Sequence, residues 1–253
     1  MTDVTSNAGR SAAAEGAWVE GACAHSAAVS KPTSYLRSDV GMSEWQNGNH
    51  AEALRQWQLA LAYEPDTPGA LANIGFAMVE EKNDSEAIPP LQKAIALSPT
   101  FGIPHLYLAR AYAGLGENAP AETEFRRAVE LLPMSSFVRN AFGRYYLDAG
   151  RPQEAQAEFL VSVTADPTEE GWLGLAEAYT EDGSSQAEEA WQQVVALDPF
   201  ASHAHLELAR IYLAKGLSAA AAKEFESCLF TDPNNAEALT AMRKLRLQAN
   251  LSP

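Results

Sequence analysis

"GENAPAETEFRRAVELLP", from Gly116 to Pro133, decides the fold, because similar segments that end in proline recur along the whole chain. The recurring prolines are Pro65, Pro99, Pro133, Pro167, Pro199 and Pro233. Successive prolines are 34, 34, 34, 32 and 34 residues apart. A fixed period of this size indicates a stack of copies of one supersecondary unit.

Each period contains two apolar stripes with helical spacing. In the unit that starts at Gly102 these stripes are Leu108, Ala109 and Tyr112, and then Ala121, Phe125 and Ala128. Gly116 interrupts the first helix and Pro133 ends the second. Small residues let two helices approach closely, while large ones fill the space beside them. The sequence therefore predicts a packed pair of helices in each unit.

The other units repeat this pattern. The second-half positions read Ala53, Trp57 and Ala60; Ala87, Leu91 and Ala94; Ala155, Phe159 and Ser162; Ala221, Phe225 and Cys228. The glycine between the helices recurs as Gly48, Gly116, Gly150, Gly183 and Gly216, and Lys82 replaces it once. This pattern, which covers residues 34–246, resembles the tetratricopeptide repeat. The resemblance implies an all-α, right-handed α-solenoid of six helix-turn-helix repeats with a C-terminal capping helix.

The proline period also predicts the domain organisation. The expected repeats are 34–67, 68–101, 102–135, 136–169, 170–201 and 202–235, followed by a capping helix over 236–253. The repeated stripes predict a continuous core that contains Tyr112, Phe125, Tyr146, Phe159, Tyr179, Trp191, Tyr212 and Phe225. Residues 1–33 are rich in Ala, Ser and Gly and are predicted to be a disordered tail. Trp18 in this tail is expected to dock, with the first helix of the array as a candidate surface.

Composition narrows the possible partners and location. The formal net charge is -15, from 18 basic and 33 acidic residues, which argues against nucleic acid and anionic membranes as partners. No apolar run has the length of a membrane span. Glu15 and Glu20 interrupt the segment where the apolar core of a secretory signal would lie, so a soluble, cytoplasmic protein is expected. The lipoprotein alternative at Cys23 lacks a preceding apolar segment.

No motif in the chain predicts an active site, a metal or a cofactor. His203 and Glu207 have the i, i+4 spacing of two ligands on one helix, but zinc needs at least one more protein ligand. The glycines fall at the repeat period and form no phosphate-binding loop. A Gly-x-Ser-x-Gly sequence is also missing. We therefore expect a protein that is not an enzyme.

The resemblance implies a groove, lined by the first helix of each pair, that holds a peptide or a partner helix. The second, fifth, sixth and ninth positions of the repeats give Asn73, Phe76, Tyr107, Arg110, Phe137, Asn140, Arg144, Glu177, His203 and Arg210 as candidate contacts. The three arginines share the ninth position. Two interpretations of them remain open: they bind the carboxylates of an acidic, apolar partner segment, or they pair with neighbouring acids such as Glu177 and Glu207.

Three specialised relatives are alternatives to a general scaffold. Co-chaperones of this type have a Lys and an Asn on the first helix of their clamp, where this chain has Ser38 and Met42. O-linked N-acetylglucosamine transferases have a ladder of asparagines at the sixth position, which Asn73 alone matches. The six-repeat lipoprotein of type IV pilus assembly is similar in length and repeat number, but it needs a lipidated cysteine, for which Cys23 would be the candidate.

Overall fold

The computed structural model describes the backbone of residues 33–251 and the side chains of residues 33–248. That part of the chain forms thirteen α-helices and contains no β-strand. They are α1 (Thr33–Gln46), α2 (His50–Tyr63), α3 (Pro68–Glu80), α4 (Asp84–Leu97), α5 (Gly102–Gly114), α6 (Asn118–Leu131), α7 (Ser136–Asp148), α8 (Pro152–Ala165), α9 (Glu169–Glu181), α10 (Ala187–Leu197), α11 (Ser202–Ala214), α12 (Ser218–Thr231) and α13 (Ala236–Leu251). The expected disordered tail lies outside the described residues, except for Thr33, which begins α1.

The first twelve helices form six pairs, and α13 follows alone. We call the two members of a pair its first and second helix. This architecture confirms the predicted all-α array of helix-turn-helix repeats. The fifth pair is the irregular one, because its second helix, α10, has 11 residues whereas the other second helices have 14.

The turn between the two helices of a pair needs a left-handed backbone. Gly116 has a φ of 76°, and the four other inter-helix glycines also have positive φ. In this turn the N–H of Gly116 donates to the carbonyl oxygen of Ala113, and the N–H of Glu117 donates to that of Tyr112. These bonds satisfy the last carbonyls of the first helix. Lys82 adopts the same conformation with a φ of 63°, although a side chain is disfavoured there.

The helices fall into two compact units, residues up to Pro133 and residues from Met134 onward. In the first unit, α1–α6, the side chains of Trp57 and Leu91 on second helices pack against Gly41 and Gly75 on first helices. Neither glycine has room for a Cβ atom, because that atom would overlap with the facing side chain. The sequence pattern of small and large residues therefore corresponds to close contact between the helices of each pair.

The second unit, α7–α13, is built in the same way. Phe159 on α8 lies against Gly143 on α7 and against Gly174 on the next first helix, α9. At the end of the chain, Ala238 and Met242 on α13 are buried in one cluster with Phe225 on α12. The outer side of α13 carries the exposed residues Leu239, Arg243, Lys244, Arg246 and Leu247.

The predicted core aromatic residues are buried with two exceptions. Phe125, Tyr146, Phe159, Tyr179, Trp191 and Phe225 are buried, as expected. Tyr112 and Tyr212 are only half-buried, because their hydroxyl groups reach the surface. There each hydroxyl oxygen accepts a hydrogen bond from a glutamine of the preceding second helix, Gln92 at 3.2 Å and Gln192 at 3.1 Å. The rings pack inside while the polar tips stay at the edge.

Candidate interaction surfaces on the first helices

In the first unit, three aromatic residues form a row across consecutive first helices. Trp45 on α1 meets Phe76 on α3 edge-on, with 5.1 Å between ring centroids, and Phe76 lies 5.0 Å from Tyr107 on α5. All three side chains are buried. Phe76 and Tyr107, which the sequence predicted as partner contacts, therefore form an apolar layer beneath the surface. Ring pairs at these distances stabilise the packing of one first helix on the next.

Asn73 is buried on α3 beneath the same surface. Its Nδ2 atom has no hydrogen-bond acceptor among the described residues. An unsatisfied buried donor costs free energy, and such groups are rare in native proteins. Asn73 is thus a predicted contact with a buried donor that no described residue uses.

Arg110 on α5 connects two first helices of the first unit. One of its guanidinium nitrogens lies 2.7 Å from a carboxylate oxygen of Glu80 on α3. The guanidinium carbon also lies 5.7 Å from the ring centroid of Tyr107. Cation–π attraction and an ion pair together fix this side chain. The arginine is partly exposed, but its charge is already balanced by a carboxylate.

The two predicted arginines of the second unit are paired as well. Arg144 on α7 forms an ion pair with Glu177 on α9. Arg210 on α11 pairs with Glu207 on its own helix and with Glu237 on α13, where Arg210 Nε donates to Glu237 Oε1 at 2.7 Å. The hydrogen bond from Arg210 lowers the pKa of Glu237, and the bond to Glu237 raises the pKa of Arg210. Of the two interpretations of the arginines, pairing with neighbouring acids is thus the observed arrangement.

The remaining predicted contacts differ in their exposure. Asn140 is buried, and its Oδ1 accepts a hydrogen bond from the Ser162 hydroxyl at 2.5 Å, which ties α7 to its own second helix, α8. Phe137 is half-buried. His203 is exposed, and its ring meets Trp191 edge-on with 5.2 Å between centroids. The predicted contacts therefore include interior residues as well as residues that a partner can reach.

Sequence reasoning missed a set of polar pairs that join the two helices of one repeat. Each pair connects the fourth position of a repeat to a residue 19 positions later: Arg37 to Gln56, His105 to Glu124, Arg139 to Glu158 and His205 to Glu224. The atoms in these pairs are 2.5 to 3.0 Å apart. The constant spacing of 19 residues was the signal that would have revealed them.

Two of the five histidines, His105 and His205, thus belong to these polar pairs. His105 Nδ1 lies 2.6 Å from Glu124, and His205 Nδ1 lies 2.7 Å from Glu224. Within the described part of the chain, no group of three or more His, Cys, Asp or Glu side chains is arranged to hold a metal ion. None of the helices in this part of the chain combines the length and the hydrophobicity that a membrane span requires.

Known proteins resemble this chain in sequence and in fold. A family model described as tetratricopeptide repeat matches residues 40–100, 140–187 and 184–236, which together exceed half of the chain. Among curated proteins, the Vi polysaccharide export protein VexE of Salmonella typhi is 28% identical over 154 residues. Serine/threonine-protein phosphatase T of Trypanosoma brucei brucei is 31% identical over 97 residues. These matches cover 55% and 36% of this chain but only 23% and 21% of the two relatives.

Three solved structures share the fold at low sequence identity. The Cut9–Hcn1 hetero-tetramer of the APC/C gives a TM-score of 0.66 at 19% identity, covering 84% of this chain and 43% of the other. Pseudomonas aeruginosa pilF gives 0.63 at 21% identity, with 72% and 84% covered. PilW, described as a widely conserved type IV pilus biogenesis factor, gives 0.57 at 21% identity, with 73% and 93% covered.

Proposed function

Because the chain belongs to the tetratricopeptide repeat family, we propose that it is a non-catalytic scaffold that binds a peptide or a partner helix along its first helices. A stack of helix pairs gives each unit a surface formed by consecutive first helices. Such repeated surfaces are well suited to binding extended segments of another protein. The proposal assigns no cofactor, metal or nucleic acid to the chain.

The proposal rests on partly exposed ion pairs that join consecutive first helices. Arg144 and Glu177 keep 43% and 26% of their side-chain surface exposed. A guanidinium has five N–H donors, so an arginine paired with one carboxylate can still donate elsewhere, and the carboxylate can accept further bonds. A peptide backbone supplies both N–H and C=O groups. The hydrogen-bonding groups of these ion pairs therefore suit a peptide backbone better than they suit an isolated charged group.

The test exchanges the two charges of this pair while keeping the pair itself. In the double variant Arg144→Glu/Glu177→Arg the ion pair can re-form, but the order of donors and acceptors on the surface is reversed. The matched control is Lys215→Glu/Glu188→Lys, a pair in the same unit that joins the residue directly after α11 to α10 and has side-chain exposures of 50% and 24%. Both variants keep the net charge of the chain.

Tagged wild type and both variants are used to recover partners from a native lysate after chemical cross-linking, with mass spectrometry as readout. We expect a partner that wild type and the control recover and that Arg144→Glu/Glu177→Arg loses at least tenfold. Unfolding midpoints within about 2 °C would show that the variants are equally folded, since this shift corresponds to less than about 1 kcal/mol. Equal recovery by all three proteins would refute binding on this surface of the second unit.

A more specific role, in type IV pilus assembly, is the second candidate. It is suggested by PilW, a type IV pilus biogenesis factor of which the chain covers 93%, and by pilF, of which it covers 84%; at 21% identity the likeness to both shows a shared fold. This candidate places the protein in the cell envelope, whereas the acidic residues Glu15 and Glu20 favour the cytoplasm. Fractionation of the native cells, together with a test for lipid attached to Cys23, distinguishes the cell envelope from the cytoplasm.

A further inference from the structure

Phe200 and Phe230 are the two most exposed aromatic side chains of the second unit, and their rings are neighbours. Phe230 on α12 is 77% exposed, and Phe200, in the connection between α10 and α11, is 64% exposed. Their ring centroids are 6.4 Å apart, and the ring planes differ by 27°. Single exposed apolar residues are common on protein surfaces, whereas adjacent ones form a patch of the kind that binds partners.

The repeat pattern does not require either phenylalanine. Phe200 follows the repeat proline Pro199 by one residue, and Phe230 precedes Pro233 by three. In the other repeats the first of these positions holds Asp66, Thr100, Met134, Thr168 and Asn234. The second holds residues that are all exposed, namely Ala62, Ala96, Glu130, Thr164 and Ala196. With the exception of Met134 these residues are small or polar, so the packing of the array does not account for the two rings.

Hydrogen bonds hold the backbone at both rings. The N–H of Phe200 donates to Asp198 Oδ1 at 2.9 Å, and the N–H of Ala201 donates to the carbonyl oxygen of Asp198 at 3.1 Å. Phe230 belongs to the last turn of α12, and just beyond it the N–H of Asp232 donates to the carbonyl oxygen of Cys228 at 2.8 Å. Because the backbone is already ordered, a partner that binds the rings loses little free energy to ordering this surface.

Carboxylate side chains flank the two rings in the sequence. Asp198 and Asp232 each lie two residues from one of the phenylalanines, and the exposed Glu226 lies one helical turn before Phe230. The nearest basic residue in the sequence is Lys223, seven residues before Phe230. The chain as a whole has a net charge of -15. A partner with basic residues beside its apolar contact therefore matches both the local and the overall charge.

The size of the patch favours a short segment over a second copy of the chain. A phenylalanine has a surface of about 150–250 Å², so the exposed fractions leave roughly 200–350 Å² for the two rings together. A stable interface between two proteins needs about 800 Å² from each partner. Two chains with a net charge of -15 also repel each other. A short segment needs less area, because one or two anchoring side chains can supply most of its affinity.

We propose that Phe200 and Phe230 form a docking site for a short basic segment of a partner protein. The segment places an aromatic or aliphatic side chain on the two rings and Lys or Arg side chains beside the carboxylates. An arginine of the segment can also lie over a ring face, where cation–π attraction stabilises it. Neither phenylalanine belongs to a first helix, so this site is additional to the binding surface proposed above.

A displayed library of random 12-residue peptides is the probe for this site. It is selected on the immobilised full chain after removal of the peptides that bind Phe200→Thr/Phe230→Ala, a variant with residues that other repeats have at these positions. We expect selected peptides that carry Lys or Arg beside an aromatic or aliphatic residue and that bind this variant at least tenfold more weakly than wild type. The control Met134→Ala/Leu247→Ala, which removes side chains of similar exposure, 62% and 65%, should bind them as wild type does.

The variant Glu226→Lys tests the charge of the site separately from its rings. It reverses a charge one turn from Phe230 and should weaken the binding of the selected peptides at least threefold. Thermal unfolding midpoints within about 2 °C of wild type would show that all variants are equally folded.

Three results would overturn the proposal. The first is a selection without any peptide that distinguishes wild type from the phenylalanine variant. The second is a set of selected peptides that are acidic or that bind Glu226→Lys as tightly as wild type. The third is a wild type that dimerises in analytical ultracentrifugation while the phenylalanine variant stays monomeric, which would assign the rings to a second copy. None of these results concerns the pair of Arg144 and Glu177, so the two proposals can fail separately.

Discussion

The contact of Phe159 with two glycines allows a quantitative test of how the repeats pack. A Cβ atom added at Gly143 would lie 2.8 Å from the ring carbons Cε2 and Cζ. One added at Gly174, on the next first helix, would overlap with Cε1 and Cζ and lie 2.8 Å from Cδ1. The ring is fully buried, so it has little room to move away. Gly174→Ala should therefore force the interface between α8 and α9 apart.

The expected changes in the free energy of unfolding follow from three contributions: the helix propensity of alanine, the overpacking of the core and the loss of the Phe159 ring. Alanine stabilises a helix interior by about 0.5–1 kcal/mol relative to glycine. Overpacking of a core costs about 1–3 kcal/mol, so Gly174→Ala alone should destabilise by up to about 2.5 kcal/mol. Phe159→Ala should cost about 3–5 kcal/mol. In that background the new methyl group has space, and Gly174→Ala should then stabilise by about 0.5–1 kcal/mol.

A double-mutant cycle measured by urea unfolding, with circular dichroism and tryptophan fluorescence, gives the coupling energy. We expect a coupling energy of about 1–3 kcal/mol, equal to the free-energy cost of overpacking that Phe159→Ala removes. Gly69→Ala is the control, because an added Cβ there meets nothing within 4 Å and only the helix term remains. Equal m-values would show that the variants unfold in the same manner. Effects that add to within about 0.5 kcal/mol would refute the contact.

Three further predictions concern single residues. Lys82→Gly should stabilise by about 1 kcal/mol, because glycine adopts the left-handed turn without strain, whereas Gly150→Ala should destabilise by a similar amount in thermal unfolding. Arg210→Ala should raise the lowered pKa of Glu237 and cost at most about 1 kcal/mol at pH 7. Because the pair of Arg210 and Glu237 contributes only while Glu237 is ionised, the difference in stability between wild type and variant in urea unfolding should shrink as the pH falls through the lowered pKa of Glu237. Cys228 should react with thiol reagents only at the rate of unfolding, and fast reaction in the folded protein would contradict its burial.

Periodicity made the fold predictable because it reports packing that recurs. Ala121, Phe125 and Ala128 occupy positions where one helix approaches another, and all three are buried. The equivalent residues in the other repeats are constrained by the same close approach of two helices. Even the exception at Lys82 followed the pattern, since its backbone adopts the conformation of the inter-helix glycines. When many equivalent positions agree, a single unfavourable residue does not change the turn.

The polar contacts were less predictable, because they depend on which of several nearby partners a long side chain chooses. Arg144 and Glu177 are 33 residues apart, and the sequence left their pairing as one of two interpretations without deciding between them. Tyr112 was expected in the core but is half-buried, because Gln92 holds its hydroxyl at the surface. In contrast, the pairs with a spacing of 19 residues, such as His105 with Glu124, follow from the repeat itself.

The paired arginines change the chemistry expected of a partner. A carboxylate ligand that binds Arg110 or Arg144 has to displace Glu80 or Glu177, which exchanges one ion pair for another and leaves a glutamate without its partner. The net charge of -15 further opposes an acidic segment at long range. A segment that binds through its backbone donors and acceptors leaves these ion pairs intact. So does a segment whose basic side chains reach the paired carboxylates, and the negative charge of the chain attracts it. We therefore expect a neutral or basic partner segment in place of the acidic one that the arginines suggest when they are considered without their partners.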